Sequence, residues 1–165
     1  MFRGVPNVID VEASGSGGDS YPIEVGVVLA CGARYCSLIK PAEDWAFWTK
    51  EAEDVHHISR DVLHQCGKPL GVVAQELNEF LQDQTVYSDG WVVDSPWVHL
   101  LFDVAHIPQA FRVSPLEMIL TEAQMEIWHE TKDKLLQNCE HKRHRASFDA
   151  AMIQKTFVKT AELTQ

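Results

Sequence analysis

Positive charge is what this chain has least of. It carries 14 Lys and Arg against 24 Asp and Glu, for a formal net charge of -10. That balance argues against a broad cationic groove for long duplexes, because Lys and Arg contacts to phosphate supply most non-specific nucleic-acid affinity. No apolar run reaches membrane-spanning length, and the start, MFRGVPNVID, lacks the long apolar core of a signal peptide. The expectation is a cytoplasmic protein with no membrane partner. CxxC spacing is missing too: Cys31, Cys36, Cys66 and Cys139 stand apart and are read as reduced thiols. Cys139, His141 and His144 suggest a zinc cluster, but no second ligand pair of matching spacing accompanies them, and a polar loop is the simpler reading. Low-complexity tracts and repeats are absent. The chain is 45% hydrophobic and 23% charged, and its 165 residues suit one domain, 1–165, with a core that needs no staples.

What is present centres on VIDVEASG, Val8 to Gly15. In an extended strand Val8, Asp10 and Glu12 share one face, and Ile9, Val11 and Ala13 the other. Two carboxylates side by side in a partly buried place raise one another's pKa, and a divalent cation is the natural third party. Taken alone, the D-x-E is more simply an edge strand with an acidic face.

The rest of the chain reads as alternating elements. YPIEVGVVLA and GARYCSLIKP make two strands joined at Cys31-Gly32, an antiparallel meander with the first. Trp45, Phe47 and Trp48 crowd one loop, either a flap over the core, the favoured reading, or a stacking platform for bases. EAEDVHHISRDVL reads as a loop passing into a short helix. Val73, Leu77, Phe80 and Leu81 recur at helical spacing between Pro69 and Gln82. After the short strand TVYS, SPWVHLLFDVA predicts a helix with Ser95 as N-cap and Pro96 first. QAFRVSPLEMI is ambiguous and is assigned another strand. Thr121 with Gln124 opens a helix by a capping box, and SFDAAMIQKTFVKTAEL closes the chain as a helix with Ala150, Ile153 and Phe157 on one face. The predicted class is α/β, a mixed sheet flanked by helices.

Two further places carry acids that chemistry can use. In YSDGWVVDSPW, Asp89 precedes Gly and reads as a turn residue, while Asp94, placed just before a helix, can face a cleft or simply cap that helix. In HRASFDA, His144 and Asp149 would lie about 140° apart on a continuous helix. They converge only if His144 is in the preceding loop and Asp149 in the first turn, with Ser147 as N-cap.

In order and spacing, VIDVEASG, WVVDSPW and HRASFDA resemble the three motifs of the DEDDh family of 3′-to-5′ exonucleases, across Val8 to about Phe157. EAEDVHHIS is similar to the family's H-G-I loop, with His57 where glycine is usual. The resemblance implies a ribonuclease H-like fold holding two divalent cations, Mg²⁺ or Mn²⁺, on Asp10, Glu12, Asp94 and Asp149, with His144 as general base. Two such cations about 4 Å apart stabilise the attacking and leaving oxygens of an in-line displacement, and hard cations select carboxylate oxygen. Imidazole ordinarily titrates near neutral pH, which suits it to take a proton from water. The resemblance further implies that Ala13, Ser14, His56, His57 and Ile58 meet the terminal nucleotide. The basic run His141 to Arg145 offers local positive charge, so Arg145 is a candidate phosphate contact; a solvated loop is the equal alternative.

The expected partner is single-stranded or short nucleic acid, RNA or DNA, cut from the 3′ end to nucleoside 5′-monophosphates. Two other readings stand beside it: a catalytically silent nucleic-acid or protein-binding module on the same fold, and a two-metal endonuclease. Monomer and homodimer are both open.

Overall fold

The structure, a computed structural model, describes residues 2–137, 139 and 144–165. Three strands come first: β1 (Val8–Ala13), β2 (Pro22–Val28) and β3 (Arg34–Leu38). They form the expected antiparallel meander, and Gly32 turns β2 into β3 at φ 90°, a conformation glycine adopts without a Cβ penalty. Helices α1 (Lys50–His56), α2 (Arg60–Cys66) and α3 (Leu70–Leu81) follow. β4 (Thr85–Ser88) leads into α4 (Trp91–Ala105), and β5 (Arg112–Pro115) runs through a 3-10 turn, Leu116–Ile119, into α5 (Glu122–Leu136) and α6 (Ala146–Leu163). The sheet order is β3-β2-β1-β4-β5, with β4 parallel to both β1 and β5.

β1 is the middle strand, and its alternation sorts the two layers. Ile9 and Val11 pack with Val73 and Leu77 of α3 and Leu101 and Phe102 of α4. Val8 packs instead with Trp128 of α5 and Ala150, Ile153 and Phe157 of α6. Each fully buried aliphatic side chain is worth roughly 1.5–3 kcal/mol, so slipping β1 by one residue would exchange these apolar residues for carboxylates and is strongly disfavoured. Asp10 and Glu12 are thereby fixed on the α6 side.

That side is unusually close. Gly26 pairs with Asp10 across β1 and β2, and a Cβ there would lie 2.3 Å from the Ala146 carbonyl carbon and the Ser147 nitrogen. Only a residue without a side chain lets α6 begin on the sheet beside Asp10.

Three local expectations are corrected. Residues 50–66 form two helices, not a loop and one: Thr49 and Ser59 each cap a start by accepting from Ala52 and Val62 N–H, both at 3.3 Å. α4 begins at Trp91, before Ser95, because Ser88 Oγ accepts from Gly90 N–H at 3.0 Å and the Gly90 carbonyl then accepts from Val93 and Asp94. Ser95 is therefore no N-cap, and Pro96 sits inside the helix, where its missing N–H leaves the carbonyl of Val92, a 78% exposed residue, to water. Ser147 is likewise inside α6, whose N-cap is Arg145. The capping box of Thr121 and Gln124 forms as expected. The aromatic loop is a core flap: Trp45 is buried and stacks on Tyr21 at 5.0 Å, and Trp48 Nε1 donates to Glu53 at 2.7 Å.

Candidate functional site

Three elements deliver four acids to one place. β1 presents Asp10 and Glu12, and the register irregularity just after Glu12 ends its regular pairing with β2. α6 contributes Asp149 from its first turn. Oxygens of Asp10, Glu12 and Asp149 all lie within 4.8 Å of one another. β4 runs parallel to β1, with Tyr87 beside Val8, so its end and the turn after it bring Asp94 in from α4. Asp94 lies outside that trio, yet its charge is the strongest acting on Asp10. Asp94 is buried, and Ser88 Oγ donates to its Oδ2 at 2.7 Å, fixing its orientation.

The electrostatics are those of acids crowded together away from water. Burial, then the charges of Asp94, Glu12, Asp149 and Asp89, push Asp10 well above the usual carboxylate range. Burial and the neighbouring Asp149 and Glu24 push Glu12 up to about 9. Asp94 rises to about 7, burial outweighing the Ser88 hydrogen bond. Asp149 is also raised by burial, restrained by a hydrogen bond from the His144 backbone and by the charges of His144 and Lys132. One oxygen of Asp10, Oδ2, is sealed from solvent with no hydrogen-bond partner. An orphaned carboxylate oxygen among other carboxylates is costly unless a cation completes it. The donor set is all oxygen, which fits a hard divalent cation.

His144 stands in the turn before α6 with φ 62° and lines a cleft of about 170 Å³ together with Asp10 and Asp149. It is thus outside the helix while Asp149 is in the first turn, the arrangement that convergence requires. Asp89 and Lys132 line the same cleft and are paired at 2.7 Å. Neither residue's place is visible locally: Asp89 precedes a glycine as any turn acid does, and Lys132 is one of several polar residues on α5.

Four of the residues expected to meet the nucleotide, Ala13, Ser14, His56 and Ile58, are buried. His56 and Ile58 are buried, joined by a hydrogen bond from Ile58 N–H to His56 Nδ1 at 3.0 Å, and burial pushes the His56 imidazole down. His57 is exposed and holds φ 57°, which explains glycine as the usual residue of such a loop. Ala13 and Ser14 are buried, and Ser14 Oγ accepts from Tyr21 N–H at 3.1 Å, so that hydroxyl serves the fold. Arg145 is committed: its guanidinium donates to Glu24 at 2.6 and 3.1 Å. Glu24 also accepts from Ala146 N–H at 2.7 Å, replacing the expected Ser147 cap with a charge-assisted one. His141, Lys142 and Arg143 of the basic run lie outside the described residues.

Strand order and flanking helices define an α/β fold of the ribonuclease H-like kind. The particular structures it is similar to are exonuclease I enzymes. E. coli exonuclease I in complex with a dA16 oligonucleotide superposes with a TM-score of 0.70 at 12% identity, covering 98% of this chain and 42% of that one. A zinc-bound form of the E. coli enzyme with single-stranded DNA gives 0.71 at 14% identity, with coverage of 98% and 42%. Exonuclease I from Methylocaldum szegediense gives 0.63 at 11% identity, covering 98% of this chain and 40% of that one. This chain spans about two fifths of their length. At the level of sequence, no family model and no curated protein matches it. Among the described residues no helix is long and apolar enough to cross a membrane.

Proposed function

We propose that this protein is a metal-dependent 3′-to-5′ exonuclease that hydrolyses the terminal phosphodiester of short or single-stranded RNA or DNA and releases nucleoside 5′-monophosphates. The observation that carries this reading is the grouping of Asp10, Glu12 and Asp149 within 4.8 Å, with Oδ2 of Asp10 sealed and unpartnered. Exonuclease I structures with single-stranded DNA among the fold's neighbours support it.

Asp10, Glu12, Asp94 and Asp149 would hold two divalent cations, Mg²⁺ or Mn²⁺. When bound, such ions supply charge stabilisation for the attacking and leaving oxygens of an in-line displacement at phosphorus. His144, beside Asp149 on the cleft wall, takes the proton of the attacking water on a ring nitrogen. The water oxygen bonds to phosphorus as the bond to the 3′ oxygen breaks, and solvent protonates the departing 3′ oxygen. Ser88 holds Asp94 in its orientation throughout. Arg145 acts through Glu24, which seats the start of α6 and with it His144 and Asp149. The terminal nucleotide lies near the end of β1 and the 56–58 loop, where exposed His57 can meet it and buried Ala13, Ser14, His56 and Ile58 keep that surface rigid.

Incubating the purified protein with end-labelled single-stranded RNA and DNA plus Mg²⁺ or Mn²⁺ tests this directly. Mononucleotide release that is lost in Asp10→Ala and in His144→Ala is expected. Release untouched by both changes, or none at all, overturns the reading. Cleavage of a circular single strand would instead mark an endonuclease.

A further inference from the structure

Asp89 and Lys132 line the cleft of Asp10, His144 and Asp149 but belong neither to the carboxylate trio nor to the proton path. Among the described residues, Lys132 is the sole Lys or Arg on that cleft wall. Arg145, also near the start of α6, is paired with buried Glu24. Lys132 Nζ meets Asp89 Oδ2 at 2.7 Å, with the two side chains 28% and 24% exposed. The same pair also lines a second cavity of about 290 Å³ walled by Leu116, Leu120, Met125 and Trp128. It therefore stands at the junction of an acidic cleft and a largely apolar hollow.

We propose that Lys132 grips a phosphodiester of the substrate strand at this junction, and that Asp89 holds its ammonium there when no strand is bound. The inference rests on the nuclease reading and adds a substrate-binding residue to it. A polyanion entering a cleft lined by carboxylates is helped by a protein cation at the entry, and among the described residues Lys132 is placed to serve. An ammonium carries three donors, and Asp89 is the acceptor the structure gives it. The others can turn to phosphate without a large rearrangement. Asp89, in contrast, cancels part of the Lys132 field and repels the strand. The apolar hollow beyond Lys132 offers room for a base whose backbone phosphate sits at the junction.

If the pair were only a cross-link between α5 and the turn before α4, breaking it from either side would have the same effect. A phosphate grip restrained by its partner gives opposite signs. The test is fluorescence anisotropy of a short 5′-labelled single strand in Ca²⁺, read across a salt series. Lys132→Gln should weaken binding about fivefold to tenfold and reduce the salt slope by about 0.7, the loss expected for one phosphate contact on a single strand. Lys132→Arg should retain most of the affinity, and Asp89→Asn should bind more tightly than the wild type. Parallel weakening by Lys132→Gln and Asp89→Asn, or an unchanged salt slope in Lys132→Gln, overturns the grip while leaving the nuclease reading intact. A wild-type protein that binds no strand overturns both.

Discussion

Glu24 and Asp10 are acids on neighbouring strands, facing the same helix, and their surroundings are opposites. Glu24 is 4% exposed and fully answered: Arg145 reaches it through Nε and a terminal nitrogen, and the Ala146 N–H completes it. Asp10 has Glu12 and Asp149 around it, Asp94 next, and a sealed oxygen with no partner. Satisfied buried charge acts as a fastener. Unsatisfied buried charge, held in place by the rest of the fold, is what a ligand site looks like before its ligand. The contrast also explains why α6 can carry Asp149 so close to like charge: Glu24 and Arg145 pin its first turn from outside the cluster.

The largest effect we expect is on turnover. Asp10→Asn should lower nuclease activity on the order of a thousandfold, since the ions it would help hold are worth several kcal/mol to such a reaction. Without divalent ions the same change should raise thermal stability near neutral pH, because it removes an acid that burial and its neighbours hold protonated against its ordinary range. Glu24→Gln should do the reverse, lowering stability by about 1–2 kcal/mol, because it leaves the start of α6 and the half-exposed Arg145 without their counter-charge. Paired thermal melts of the two variants check this, and equal signs would erase the distinction between fastener and site. Gly26→Ala tests the same seat sterically. A Cβ meeting Ala146 backbone at 2.3 Å should cost about 1–3 kcal/mol and depress activity by shifting Asp149, measurable by denaturant unfolding and by initial rates.

The crowded acids also make stability depend on pH. Below about pH 4 these carboxyls are protonated in both folded and unfolded chains. As pH rises, the unfolded chain releases protons that Asp10, Glu12, Asp94 and Asp149 retain when folded, so the unfolded state becomes favoured. Stability of the metal-free protein should therefore fall from about pH 4–5 through the raised values of Asp94, about 7, and Glu12, about 9. Saturating Mg²⁺ or Mn²⁺ should flatten that fall, as melts with and without chelator will show. The smallest effect belongs to a region remote from both acids. Thr121→Ala, which breaks the α5 capping box, should cost about 1 kcal/mol equally at every pH and metal concentration.

What the sequence revealed and what it concealed divide along one line. Alternation in VIDVEASG assigns Asp10 and Glu12 to one face because strand period is a local property, and the Thr121–Gln124 cap is local as well. The mixed sheet, the meander and the terminal helix follow from patterns of that kind. Ser95 and Ser147 look like caps locally and are not, because the groups that start α4 and α6 lie elsewhere: the turn at Ser88 and Gly90, and Glu24, more than a hundred residues before Ala146. Nothing local distinguishes Glu24 in PIEVGVV from an ordinary strand acid. The same holds for Asp89 and Lys132, 43 residues apart, whose pairing exists only in the folded chain. Arg145 shows the converse, a basic residue beside the site whose bond to distant Glu24 no local pattern reveals.

Calorimetric titration of the metal-free protein with Mn²⁺ at pH 7.5, wild type against Asp10→Asn, tests most directly whether the carboxylates of β1, α4 and α6 form a cation site. Saturable binding in the wild type that is lost or greatly weakened in the variant is the expected result. Identical isotherms for the two proteins, or no binding to the wild type, would contradict it.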